Sequence, residues 1–178
     1  MTYSTSSTIR PIGGRLALDF VNTANWSDDG TVIDEKLSNR ADLQIWMEAL
    51  SLTEASQCAT IEDLLALRAM LRSAFLGDGR SLNISLYDYV SPPKSQLTSN
   101  DLTVSHLPLV NLISISAISI LSDPREYQRL KKCPGHNCGW LFIDETKNAR
   151  RKWCIMETCG NRSKAARNYA KKTRQQKR

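Results

Sequence analysis

Residues 133–164 read CPGHNCGWLFIDETKNARRKWCIMETCGNRSK, and the spacing of their cysteines decides how the chain is organised. Cys133, Cys138, Cys154 and Cys159 follow the pattern C-x4-C-x15-C-x4-C, two close pairs a hairpin's length apart. Thiolates paired at this spacing can bend round one tetrahedral ion, and four of them close the shell of a single Zn²⁺. His136, inside the first pair, is an alternative ligand, and a disulfide arrangement is the other option open to the same cysteines. Between the pairs, 140–143 (WLFI) and 150–153 (RRKW) flank a turn at 144–148 and predict a short hairpin with its aromatics beside the metal. From Gly160 the run RSKAARNYAKK predicts a helix. Knuckle, hairpin and helix together make a treble-clef-like zinc finger with four cysteine ligands.

Working outward, the chain has 178 residues, 41 % of them apolar, enough for one medium domain with a small appendage. Its formal charge of +6 conceals two opposite halves. Residues 1–122 hold 8 Lys/Arg against 13 Asp/Glu, whereas 123–178 hold 16 against 5. An acidic body with a strongly basic C-terminal third points to a polyanionic partner at one end. No run of 18 apolar residues exists for a membrane span, and no repeat recurs. The N-terminal MTYSTSSTIRPIGG lacks the apolar core of a secretory signal, so a cytoplasmic location is expected. In that setting a disulfide framework is the weaker reading of the four cysteines. Cys58, alone in ASQCAT, reads as an ordinary small buried residue or a half-exposed thiol.

The acidic part predicts helices. LALDFVNT (16–23) reads as helix or strand, with helix preferred, and the polar Asp19 and Asn22 inside it suggest satisfied core hydrogen bonds. NWSDDGTVID is a turn-rich loop with its tip at Asp29-Gly30. Asn39 can cap a helix whose Leu43, Trp46, Met47 and Leu50 share a face. Thr60 and Asp63 form a near capping box ahead of Leu64, Leu67, Leu71, Ala74 and Phe75, with Gly77 or Gly79 as the stop. Residues 81–91 are weakly helical, and 96–98 with 102–106 predict a small hairpin. Pro108 opens LPLVNLISISAISIL, read as a helix ended by Ser122-Asp123-Pro124. The fold class expected is α+β. A mainly helical domain with a small sheet (1–124) precedes the zinc finger (125–172) and a basic flexible tail (173–178). A fragment 1–124 is expected to fold without zinc.

Several of these residues resemble a known family. Cys159-Gly160-Asn161-Arg162 is the tetrapeptide after which the CGNR zinc finger is named. Trp140-Leu141-Phe142, Asp144, Asn148, Arg150-Arg151, Trp153-Cys154, Met156 and Lys164 are similar to that family's pattern. In that family the finger follows a domain called ABATE, an α+β fold of stress-induced bacterial transcription regulators. Leu18-Asp19-Phe20-Val21-Asn22-Thr23 resembles that domain's opening motif, and Leu43 to Leu50 with Leu67-Arg68 match more loosely. The chain departs from the pattern between about 79 and 106. The resemblance implies a bacterial regulator whose finger binds DNA and whose first domain senses a small-molecule effector or mediates self-association as a homo-oligomer.

The chemistry agrees with a binding role. Zinc held by four thiolates offers water no open position, so the ion is structural and binding it supplies the finger's stability. The chain has no phosphate loop, no GxGxxG and no GxSxG, and only two histidines, His106 and His136; no catalytic residue is expected. On a helix from Gly160, Lys164, Arg167, Lys171 and Arg174 form one stripe suited to phosphates, with Lys172 beside it. Arg150, Arg151 and Lys152 can flank the same groove. Arg162 projects with Ala166 and Tyr169 on the opposite side and can contact nucleic acid or pair with Asp144. Ala165, Ala166 and Tyr169 are expected to pack on the hairpin. RNA binding through the same surface, or docking on an acidic protein, are the alternatives to DNA.

Overall fold

The computed structural model describes residues 10–52, 59–77 and 107–176. Cys58, and the helix and hairpin expected within 79–106, lie outside the described residues.

The first helix, α1 (Leu16–Val21), has only six residues and would not persist alone in water. Burial sustains it: Ala17, Leu18, Phe20 and Val21 are completely enclosed. Its polar residues are satisfied as expected. Asp19 accepts the Gly13 amide at 2.7 Å, and Asn22 closes the helix with its side chain turned inward. The NWSDDGTVID stretch is more regular than a loop. β1 (Ala24–Trp26) and β2 (Val32–Glu35) pair antiparallel across it, and Gly30 takes the positive φ of +90° that the turn needs. These strands are too short to alternate visibly in the sequence.

α2 (Arg40–Ala49) begins where Asn39 accepts the Asp42 amide at 3.0 Å and buries Leu43, Trp46 and Met47. Trp46 meets Phe20 with ring centroids 5.7 Å apart. α3 (Ile61–Leu76) opens with the expected reciprocal Thr60–Asp63 box, 3.1 and 3.3 Å, and stops at Gly77. It buries the expected apolar face together with two cations, Arg68 and Arg72. α4 (Leu109–Ser122) follows Pro108; its buried Leu109, Ile113, Ala117 and Ile120 recur at helical spacing. A short α5 (Pro124–Tyr127) is capped by Asp123.

β3 (Leu130–Lys132) and β4 (Leu141–Ile143) then form a second antiparallel pair, Lys131 opposite Phe142. This corrects the expected hairpin. β4 pairs with residues that precede the first cysteine, and 150–153 form no strand. The physical reason is the alternation along β4. Leu141 and Ile143 face the helical core, and Phe142 between them faces the cysteines. Pairing with β3 also puts the Cys133–Cys138 knuckle at the hairpin's own end. One apolar cluster thus joins α1, α2, α3, α4 and β4.

The last helix, α6 (Asn161–Gln176), leaves this body behind. The expected packing of Ala165, Ala166 and Tyr169 on the hairpin does not occur: all three are exposed, Tyr169 by 75 %. Nor does the chain become irregular at 173, since α6 continues to Gln176 through Lys, Arg and Gln, all strong helix formers. Among the described residues no helix is long and apolar enough to cross a membrane.

Candidate metal centre and basic helix

β3 delivers Cys133, whose amide donates to the Trp140 carbonyl oxygen at 2.7 Å and so closes the knuckle. Inside it, Asn137 and Gly139 take positive φ values of 54° and 59°, and the Cys138 amide donates to Gly135 O. A Cβ on Gly135 would stand 2.9 Å from the Cys159 sulfur, so the knuckle needs glycine to make room for its opposite ligand.

Cys154 is positioned by the preceding loop. At its root Asp144, fully buried, accepts from Lys131 Nζ at 2.6 Å and from the Thr146 amide at 3.0 Å. Burial alone would raise this carboxyl, yet the Lys131 ammonium and the Thr146 donors hold it well below the usual carboxylate range. The partner of Asp144 is therefore Lys131 and not Arg162. Lys131 Nζ also donates to Ala149 O at 2.6 Å and Arg151 O at 3.1 Å, which curls the loop back toward the metal side. Cys159 rides on a π-helical turn, Met156–Gly160, that runs directly into α6.

The four sulfurs lie within 4.8 Å of one another, all buried. Two of the separations are 3.5 Å (Cys138–Cys154) and 3.6 Å (Cys154–Cys159). A tetrahedral zinc with bonds of about 2.3 Å sets its sulfurs about 3.8 Å apart, so the cage has the right size. The distances exclude a disulfide between those partners, all four cysteines are free, and His136 is an exposed residue outside the cluster. So crowded, the sulfurs cannot all ionise alone. Hydrogen bonds from Cys138 and its neighbours push Cys133 down, while Cys133 in turn pushes Cys138 and Cys154 far up. A dication resolves the conflict, and the four cysteines are placed to bind one zinc ion.

The residues expected to meet nucleic acid separate into two groups. Lys164, Arg167, Lys171, Lys172 and Arg174 are exposed along α6, and Arg162 is exposed at its start. Arg150 and Lys152 are exposed before Cys154, the Lys152 ammonium 5.2 Å from the Trp153 ring centroid. Arg151 differs. Half-buried, it donates to the carbonyl oxygens of Cys154 (2.6 Å), Ile12 and Trp153, and its guanidinium lies 4.3 Å over the Phe142 ring.

The sequence reading also missed how the body grips the knuckle. The Trp26 amide donates to Cys138 O at 3.2 Å, the Trp140 indole to Ala24 O at 3.0 Å, and Arg72 Nη1 to Gly139 O at 2.8 Å. A Cβ on Gly139 would come within 2.7 Å of Trp26 Cβ. The only sequence signal of this contact was a glycine directly after a ligand cysteine.

Compared with known families, residues 129–172 match the model of the CGNR zinc finger. Residues 14–121 match the model of ABATE, described as "Putative stress-induced transcription regulator". No curated protein matches the chain.

Proposed function

This chain belongs to the ABATE family and carries a CGNR zinc finger, and from that premise we propose that it regulates transcription by binding duplex DNA through α6. The observation that carries the reading is the exposure of that helix. Sixteen residues long, it extends about 24 Å and offers Lys164, Arg167, Lys171 and Arg174 on one side, all four exposed. An α-helix fits the major groove of B-form DNA, whereas the deep, narrow major groove of A-form RNA does not admit side chains for reading. Exposed lysines and arginines on such a helix follow the phosphates, and an arginine can reach guanine edges. The zinc is structural in this reading. It fixes the angle at which α6 leaves the body, because Cys159 lies in the turn that begins the helix.

The reading assigns no catalytic residue. It makes the protein a bacterial, cytoplasmic one whose N-terminal part senses a small molecule or mediates self-association.

The test is binding to duplex DNA, to structured RNA and to an acidic protein over a range of salt. About five neutralised phosphates give a slope near −4.5 of log affinity against log salt, a loss of roughly 500-fold between 50 and 200 mM. Arg167→Ala with Lys171→Ala should weaken binding to all DNA sequences alike and shallow the slope by about 2. A double variant with its zinc, its affinity and its slope unaltered removes the stripe from the interface. Preference for structured RNA, or for the acidic protein, replaces the DNA reading with the corresponding alternative.

A further inference from the structure

A zinc ion bound by four thiolates carries a net charge of −2, and here it would sit among sulfurs that are all buried. A doubly negative centre removed from water needs positive charge close by. Arg162 of α6 and Arg10 line the cleft beside Cys138, Cys154 and Cys159, but both are exposed to water, so charge compensation on the buried side has to come from elsewhere.

Two arginines, one bound to the backbone of each cysteine pair's knuckle or loop, share an unusual arrangement. Arg72, from α3 of the N-terminal part, is only 4 % exposed and forms no ion pair among the described residues. It lies 4.2 Å over the Trp26 ring and donates Nη1 to the carbonyl oxygen of Gly139, the residue after Cys138. Its Nε and Nη2 have no hydrogen-bond partner among the described residues. Burial lowers its pKa to about 10, against the opposing pull of the Cys138 sulfur. Arg151 approaches from the other pair. It too lies over an aromatic ring, Phe142, it too forms no ion pair among the described residues, and it donates to the carbonyl oxygen of Cys154 itself.

By contrast, the other buried cations have carboxylates. Arg68 is forked against Glu35, and Lys36 meets Asp34 at 2.8 Å. A buried guanidinium without a carboxylate is costly unless an anion lies nearby. We propose that Arg72 and Arg151 are the counter-cations of the zinc–tetrathiolate centre, one held by the N-terminal part and one by the finger. Their two positive charges cancel its −2. The aromatic faces of Trp26 and Phe142 hold the guanidinium planes in place without introducing a competing carboxylate. Zinc affinity is thus a joint property of the two parts, since removing the α3 arginine leaves the centre short of charge.

The test uses the full chain loaded with zinc or cobalt. Arg72→Met and Arg151→Met each remove a charge while keeping much of the stacked volume. Zinc affinity, measured by competition with a chromogenic chelator, should fall about 10- to 100-fold in each, the range for partners one contact outside a metal's ligands. In the cobalt-loaded proteins the sulfur-to-cobalt charge-transfer band should move to lower energy, because a thiolate that loses a nearby cation gives up its electrons more readily. Arg72→Lys and Arg151→Lys keep the charge and lose the planar fork, and they should retain most of the affinity and the band position. Where a Met variant does not fold, Arg72→Gln or Arg151→Gln at the same position must show the same loss and shift. The proposal is overturned if the Lys variants lose as much zinc affinity as the neutral ones. It is equally overturned if the neutral variants fold with affinity and band unmoved.

Discussion

Asn22 and Leu141 exchange two hydrogen bonds: Asn22 Nδ2 donates to the Leu141 carbonyl oxygen, and the Leu141 amide donates to Asn22 Oδ1, each at 2.8 Å. The amide side chain at the end of α1 thereby acts as a piece of strand beside β4, across 119 residues of chain. Both partners are buried, so the pair fastens the first helix to the first strand after the zinc knuckle.

Asn22→Ala should therefore cost far more than its place in a short sequence motif suggests. It strands one buried amide and one buried carbonyl on Leu141, for about 2–4 kcal/mol if water does not reach them. Urea unfolding of the zinc-loaded variant measures the loss. An unchanged midpoint would mean that the two groups find other partners.

Fragment 1–124 should not reach the stability of the whole chain, which changes the expectation drawn from helix periodicity. It lacks Leu141 and Ile143, 0 % and 2 % exposed within the core around α1, each worth about 1.5–3 kcal/mol of burial. It also leaves the Asn22 amide unpaired. Chelating zinc from the intact protein should accordingly lower hydrogen-exchange protection in α1 and α4, not only in the finger. A loss confined to the finger would show that β4 keeps its place without the metal.

Gly135→Ala should reduce zinc retention with little effect on helix content. Its new Cβ would press on the Cys159 sulfur at 2.9 Å and on the Cys159 Cβ at 3.1 Å, displacing one ligand of the four. Metal content after dialysis, compared with that of Cys159→Ser, reads the effect directly. A variant holding a full equivalent of zinc would indicate that Cys159 can yield without leaving the ion.

Asp19 should make stability depend on pH in an unusual direction. Burial raises its carboxyl to about 6, against the lowering effect of the Gly13 and Ile12 amides. The unfolded chain titrates it near 4, so between about pH 4 and pH 6 the native state binds the extra proton. This residue's contribution thus grows as pH falls through 6 and is complete below 4. Acid also protonates the zinc thiolates and works the other way, so the measurement is the difference between wild type and Asp19→Asn across that window. A flat difference would place Asp19 at its ordinary value.

The helices of the body were legible because each carries its own local evidence. Asn39 and the Thr60–Asp63 pair mark starts, Gly77 marks a stop, and Leu64, Leu67 and Leu71 mark a face. The four zinc ligands were legible for a related reason, since their spacing restricts them to one small volume. The hairpin partner of β4 was not legible. Residues 130–132 and 150–153 are both short, basic stretches next to a ligand cysteine, and three-residue strands have too few positions to show a period.

Amino-acid order alone pointed to a metal site on Cys133, Cys138, Cys154 and Cys159 followed by a basic helix, both properties of residues near one another in sequence. The clustering of the four free sulfurs, with His136 exposed outside them, set the histidine and disulfide alternatives aside. Tertiary structure alone decided which basic residues face inward. Arg151 and Lys152 are adjacent in an apparently uniform cationic run, yet Arg151 lies over Phe142 and binds carbonyl oxygens while Lys152 stays exposed. Only tertiary structure, too, brought Arg72 of α3 to Gly139. The reason is that a charge's role depends on the dielectric and the polar partners around it, and those are supplied by groups as far as 139 residues away, as Ile12 is from Arg151.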